Sequence, residues 1–437
     1  MSIEKLNAMN GQLCRCGKMH RFSAEVCIGN GVVQQIPGFV KKHNARKVFV
    51  LSDLNTYKAA GAQVCQILQT NGILYSSYCF NQCPVEPDEY SVGSAVMHYD
   101  ADCDLIISVG SGVINDIGKI LSLTSGKPYI IVATAPSMDG YASASSSMTR
   151  DGLKISLPTR CADVIIGDTQ ILCQAPLHMM KSGLGDMLAK YISICEWRIA
   201  QIVTDEYYCE EIAALIRSAL KRCIDNAQGL LSRDPVAVQA VFEGLVIGGV
   251  AMNYAGLSRP ASGVEHYISH VLDMRAVEFG TPADLHGIQC AIGTLIATRL
   301  YEKLKNIVPC EEKALSYASN FKYASWAKTL RSFLGNGAES MIALEQKEKK
   351  YDTVAHEKRL RIIMDNWDAI LEIINEELPS SGQIEQLLTL IDAPNSLESI
   401  GIPNKDFPTI FKCTKDIRDK YVLSRLAWDL GIIEELV

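Results

Sequence analysis

No apolar run in this sequence reaches the ~18 residues that a bilayer crossing needs, so a membrane span is not expected. The start, "MSIEKLNAMNGQLCRCG", lacks the apolar core of a secretory signal. Positive charge is in short supply: 42 lysines and arginines face 49 acidic residues, for a net charge of −7. That balance gives nucleic acid or an anionic membrane no electrostatic footing. The 15 cysteines are odd in number and scattered, without the spacing of a disulfide framework. Reduced thiols in the cytoplasm explain them better. Internal repeats and low-complexity segments are also lacking. What remains is a globular composition over 437 residues, 48% hydrophobic and 21% charged, a length that favours two or three domains.

Within that frame the first third alternates between two periodicities. "KVFVLS" (47–52), "ILYSSYCF" (73–80), "DLIISVG" (104–110) and "PYIIVAT" (128–134) read as strands. Between them lie helical segments at 55–72, 87–100 and from "VINDIGKILSLTSG". Strands separated by helices of this length predict a doubly wound, mostly parallel sheet. After about position 170 only helical spacing continues, as in "YYCEEIAALIRSALKRCIDNAQGLL". The expectation is an α/β dinucleotide-binding domain over 1–170 and an all-α metal- and substrate-binding domain over 171–437, with the site in a cleft between them.

"VGSGVINDIGK" (109–119) follows a strand and is rich in glycine, yet misses the usual G-x-G-x-x-G fingerprint, because Asn115 stands where the third glycine belongs. At the carboxyl end of a strand in such a sheet, glycines let backbone N–H groups approach a phosphate, and the following helix offers its positive end. A plain strand-to-helix turn is the alternative. Asp53, at the end of an early strand, suits the ribose hydroxyls of NAD and repels the extra phosphate of NADP; it also suits a helix N-cap. "TAPSMDGYASASSS" (134–147) leaves the sheet at the same edge and carries one carboxylate, Asp139. Its small residues would let a flat ring lie close, and a solvated linker is the other reading.

The later half holds the candidate metal ligands. "SGLGDMLAKY" (182–191) puts Asp186 and Lys190 four apart on one helix face, and "SGVEHYISH" (262–270) does the same for His266 and His270. "GTPADLHG" adds His286. One aspartate and two histidines suit Zn²⁺, Ni²⁺ or Fe²⁺ and leave positions open for substrate. A plain amphipathic face is the competing reading, and Lys190 could equally be a solvated surface lysine. "CRCGKMH" (14–20) looks like half of a zinc knuckle with no second half in view.

"GSGVIND", "TAPSMDG", "GLGDMLAKY", "SGVEHYISH" and "LHG", in that order over roughly residues 20–300, resemble the sn-glycerol-1-phosphate dehydrogenases of the bacterial type. These sit in the wider glycerol dehydrogenase, iron-type alcohol dehydrogenase and dehydroquinate synthase-like superfamily. The resemblance implies that Gly112, Val113, Ile114, Asn115 and Asp116 form the pyrophosphate loop and that Asp53 binds ribose. It places Thr134, Ala135, Pro136, Ser137 and Ser143 on the nicotinamide side. Asp186, His266 and His286 would bind one divalent metal, Zn or Ni. Asp139, Asp186, His270 and Lys190 would meet the substrate, with His270 delivering the proton, and Arg259 or Ser262 are further candidates for its phosphate. The implied activity is NAD(P)H-dependent reduction of dihydroxyacetone phosphate to sn-glycerol 1-phosphate, reversible and feeding phospholipid synthesis. NAD(H) is expected to be preferred over NADP(H), and the enzyme to be a homodimer or larger homo-oligomer. The iron-type alcohol dehydrogenases carry a histidine where this chain has Lys190, and dehydroquinate synthases a glutamate where it has Asp186. Those departures weigh against two competing readings, a glycerol dehydrogenase and a cyclase; a third, a non-enzymatic cofactor-binding regulator, is favoured only if the metal triad is displaced.

Overall fold

In the computed structural model the described residues are Leu6, 9–82, 84–150 and 153–437, so the first residues of the N-terminal segment lie outside them. The strands are β1 (Glu25–Gly29), β2 (Lys47–Asp53), β3 (Leu74–Phe80), β4 (Leu105–Gly110), β5 (Tyr129–Ala133), β6 (Ser145–Arg150), β7 (Leu153–Pro158) and β8 (Val164–Asp168). Six of them form one sheet in the order β1-β8-β5-β4-β2-β3, with every neighbouring pair parallel. β4, β5 and β8 are buried along their whole length, which explains their continuous apolar runs. The α/β reading therefore holds, with β1 and β8 added to the strands legible in sequence. β6 and β7 form a separate antiparallel hairpin in what looked like the tail of an irregular stretch.

The order of the sheet creates a switch point. From β2 the chain goes to β3 on one side and then to β4 on the other, so the connections leave the carboxyl ends of β2 and β4 in opposite directions. A crevice opens there in folds of this kind. Asp53 ends β2 and Gly110 ends β4.

The chain divides into two compact units, Met1–Met187 with Ala214–Gly256, and Leu188–Ala213 with Leu257–Val437. The sequence puts one cut near 170, whereas residues 171–187 and 214–256 pack with the sheet. The reason is visible at Gly167, where a Cβ would fall 2.1 Å from the Phe242 ring: the helix Pro235–Ala255 sits directly on β8. This 21-residue helix is the single one among the described residues long and apolar enough to cross a bilayer, and 78% of its most apolar window is buried. It is a core helix. The second unit is helical throughout its described residues and has its own core around Trp326, Phe411, Leu426 and Trp428.

Candidate active site

At the switch point the helix Gly112–Ser125 starts without a side-chain cap; Ser111 is its extended N-cap residue and makes no capping bond. The first N–H groups of this 14-residue helix thus take no bond from the N-cap side chain, and its dipole favours an anion there. Gly110 has to be glycine, since a Cβ would stand 2.4 Å from that of Ile114.

The neighbouring side chains brace this loop. Asn115 is buried, giving Nδ2–H to the Gly140 carbonyl at 3.2 Å and accepting the Tyr129 hydroxyl on Oδ1 at 3.0 Å. Asp116 accepts from Lys119 Nζ at 3.3 Å and from the Ser147 N–H at 3.1 Å, and burial pushes its carboxyl up. Lys119, fully buried, also donates to the Gly140 carbonyl at 2.7 Å, the Ser143 hydroxyl at 3.0 Å and the Ser145 carbonyl at 3.0 Å. One lysine therefore ties residues 140–145 to the phosphate-loop helix. Ser137 shares a 2.6 Å hydrogen bond with Ser111, and Thr134 N–H donates to the Gly110 carbonyl at 3.1 Å, so residues 134–137 run alongside the loop. Tyr141 OH holds the Ala135 carbonyl at 2.6 Å.

Asp53 caps a helix: its Oδ1 accepts from the N–H groups of Asn55 and Thr56, both at 2.8 Å, in a reciprocal capping box. Asp186 is fully buried and its Oδ2 accepts the Asp139 N–H at 2.9 Å. The helix Leu177–Leu188 that carries Asp186 lies against Pro136 so closely that a Cβ on Gly183 would be 1.8 Å from the Pro136 carbonyl oxygen.

In the second unit three histidines gather. The His266–His286 ring centroids are 5.0 Å apart and those of His270 and His286 are 6.1 Å apart. His266 Nδ1 lies 2.8 Å from Glu265 Oε1; a carboxylate only accepts, so Nδ1 carries the hydrogen and Nε2 presents its lone pair. Ser269 Oγ holds His286 Nδ1 at 3.0 Å. Cys290, one helical turn after His286, brings its Sγ to 3.6 Å from His286 Nε2. Donor atoms of His266, His286 and Cys290 all lie within 4.8 Å of one another. Burial raises the Cys290 thiol while the two imidazoles pull it down, and the pull prevails. A histidine steadied by a carboxylate beside further N and S donors fits a divalent metal. Behind it, burial and then the Glu265 charge push the Glu196 carboxyl up to about 8.

Two expectations about cations change. Asp186 and Lys190 do not share one helix: Leu177–Leu188 ends before Lys190–Thr204 begins. Lys190 is no solvated lysine either, being fully buried with Nζ donating to the Ala261 carbonyl at 3.0 Å. Arg259 drops out as a phosphate ligand, because Glu206 and the Tyr421 carbonyl occupy its guanidinium at 2.5–2.9 Å. Ser262 instead meets a lysine from the far end of the chain: Lys420 Nζ donates to its carbonyl at 2.9 Å and its hydroxyl at 2.6 Å. Burial, then the Arg259 charge, pulls Lys420 down to about 7.

The family model for iron-containing alcohol dehydrogenases matches residues 27–176. The glycerol-1-phosphate dehydrogenase [NAD(P)+] of Halalkalibacterium halodurans is 32% identical over 294 residues, 66% of this chain and 74% of the relative. That of Bacillus licheniformis is 33% identical over 299 residues, 67% and 74%. The chain belongs to the glycerol-1-phosphate dehydrogenase family. It is accordingly an NAD(P)-dependent oxidoreductase. The fold is that of the iron-containing alcohol dehydrogenases: the alcohol dehydrogenase of Oenococcus oeni superposes with a TM-score of 0.60 at 16% identity, covering 96% of this chain and 100% of the other.

For this member of the glycerol-1-phosphate dehydrogenase family, four participants escaped the sequence motifs. Lys119 gave a faint signal, a lysine on the otherwise apolar helix "GVINDIGKIL" three residues after Asp116. Glu265 directly precedes His266, and Cys290 follows His286 by four; both spacings were readable. Lys420 left no local signal, since its partner Ser262 is 158 residues away.

Proposed function

We propose that this enzyme reduces dihydroxyacetone phosphate to sn-glycerol 1-phosphate, reversibly, with NADH preferred over NADPH and one Zn or Ni ion. When bound, the nicotinamide supplies hydride and the metal supplies Lewis-acid charge for the ketone oxygen. The chain's own residues do the rest. The N–H groups of Gly112, Val113 and Ile114 take the pyrophosphate, while Asp116 and Ser143 hold that loop through Lys119 and Asn115 holds it through the Gly140 carbonyl. The outer carboxylate oxygen of Asp53 takes ribose, and residues 134–137 flank the nicotinamide.

Asp186, His266 and His286 are the proposed metal ligands, with Glu265 fixing the His266 tautomer. Asp139 orients the substrate hydroxyl, and His270 holds the proton for the product oxygen, since imidazole titrates near neutrality. Lys190 is the proposed partner of the substrate phosphate, joined by Lys420. The observation that carries the phosphorylated substrate is the convergence of these two lysines on adjacent residues, Ala261 and Ser262, just before the His266 helix. A neutral polyol calls for no such pair of cations. We place the enzyme in the cytoplasm, in phospholipid synthesis, as a homodimer or larger assembly.

The test is NADH oxidation with dihydroxyacetone phosphate and with dihydroxyacetone in parallel, after metal removal and add-back. Preference for the phosphate, lost with the metal and restored by Zn²⁺ or Ni²⁺, is expected. Preference for dihydroxyacetone overturns the assignment in favour of a glycerol dehydrogenase.

A further inference from the structure

The motif Cys14-Arg15-Cys16-Gly17-Lys18-Met19-His20 has no part in that chemistry, yet the fold makes it a set of donors. Leu13 pairs with Met19 in an antiparallel bridge. The turn between them is closed by the Cys14 N–H on the Lys18 carbonyl and the Gly17 N–H on the Cys14 carbonyl, both at 2.9 Å. Gly17 sits at φ +81°, a left-handed conformation that glycine takes without strain. As a result Cys14, Cys16 and His20 bring donor atoms within 4.8 Å of one another, with Cys16 Sγ 3.5 Å from His20 Nε2.

His20 is oriented for a ligand. Its buried ring has Nδ1 2.9 Å from the Tyr254 carbonyl oxygen. A carbonyl only accepts, so Nδ1 carries the hydrogen and the Nε2 lone pair faces the thiols, the arrangement of a metal-bound histidine held through its other nitrogen. Apolar packing does not account for the turn, since Leu13 is 74% and Met19 49% exposed. All three donors and Tyr254 belong to one compact unit, and a tetrahedral ion held by them keeps its fourth position for solvent.

We propose that Cys14, Cys16 and His20 bind a zinc ion, separate from the metal of the reaction, which closes the N-terminal turn around the ring that the Tyr254 carbonyl of the helix Pro235–Ala255 holds. Two thiolates and one imidazole, with solvent in the fourth position, are a zinc donor set. Binding releases the two thiol protons to solvent, and the metal undergoes no redox change. The segment ahead of the turn is joined to the same helix, since the Tyr254 hydroxyl donates to the Leu6 carbonyl at 3.0 Å.

Two measurements test this. In the parent enzyme, thiols are alkylated with and without zinc, and the labelled cysteines are mapped by mass spectrometry. Cys14 and Cys16 should resist labelling with zinc, react after chelation and be protected again on add-back, while exposed Cys310 reacts throughout. Equal labelling of Cys14 and Cys16 in both conditions overturns the site without any variant having to fold. In a His266→Ala background, Co²⁺ substitution should give a near-ultraviolet sulfur-to-cobalt band. That band should be lost, together with one bound metal ion, in Cys14→Ser/Cys16→Ser. An unchanged band and metal count in the double variant overturns the proposal.

Discussion

At the end of β4 the groups proposed to meet the cofactor are backbone N–H donors, and the side chains around them are occupied in holding the loop still. Around His266 the side chains are themselves the donors, and their backbone is ordinary helix. The first arrangement tolerates many side chains provided the path of the chain is kept; the second depends on the identity of each residue. Substitutions should therefore act on stability and cofactor handling around the β4 loop and on the chemistry around His266.

The largest effect is expected where the donor is the side chain. His266→Ala should lose the reaction's metal and about 4 kcal/mol of transition-state stabilisation, roughly a thousandfold in kcat/KM. Metal analysis and kinetics on one preparation check it. Retention of that metal in the variant would break the contrast, because His266 would then be no ligand.

Next comes the brace of the loop. Lys119→Met leaves the buried Asp116 carboxylate unpaired and strips a donor from Gly140, Ser143 and Ser145. Breaking a buried pair in this way costs about 3 kcal/mol, to be read as a lower denaturant midpoint with metal content unchanged. If stability held while metal was lost, the two regions would not be separable in the way described.

A smaller, substrate-specific effect is expected from the lysines. Lys190→Met or Lys420→Met should weaken use of dihydroxyacetone phosphate by about 2 kcal/mol and leave dihydroxyacetone nearly untouched. Lysine is cationic below its pKa, and Lys420 in the folded enzyme lies at about 7. The kcat/KM for the phosphorylated substrate should accordingly fall as pH rises through about 7. This limb should be flattened in Lys420→Met and absent for dihydroxyacetone. The same limb with both substrates would remove Lys420 from phosphate binding.

Much of this was legible before any coordinates. β2, β3, β4 and β5 announce themselves as buried β-rich runs, and the His266–His270 spacing as one helical face. β1 and β8 were harder, being five-residue strands that each end in glycine or aspartate after only three or four β-favouring residues. A loop aspartate such as Asp116 reads the same in sequence whether it points at a ligand or at Lys119, which only the folded helix brings to it. Lys190 was placed on the Asp186 helix because periodicity does not register the end of one helix when the next begins two residues later. Lys420 and Ser262 meet through tertiary folding alone.

The smallest predicted effect separates two functions of one carboxylate. Serine is as good an N-cap as aspartate, so Asp53→Ser should keep stability while raising relative use of NADPH. Asp53→Ala should in addition cost about 1 kcal/mol of stability. Stability can be followed by denaturant titration and the cofactor ratio by kcat/KM with each nucleotide. An unchanged ratio in both variants would confine Asp53 to its capping role.

Residues 134–139 carry a further consequence. The Pro136 carbonyl rests against Gly183, and the Asp139 N–H holds Asp186 Oδ2, so the stretch proposed to flank the nicotinamide also sets the position of a proposed metal ligand. Two ligands that draw on one rigid segment share an energetic coupling, and such coupling is reciprocal. NADH should tighten metal binding by about fivefold or more, and the metal should tighten NADH by the same factor. Calorimetric titration of each in the presence and absence of the other reads both values. If they agree, the enzyme assembles its cofactor and its metal as one thermodynamic unit, so that chelation lowers nucleotide occupancy as well as catalytic rate.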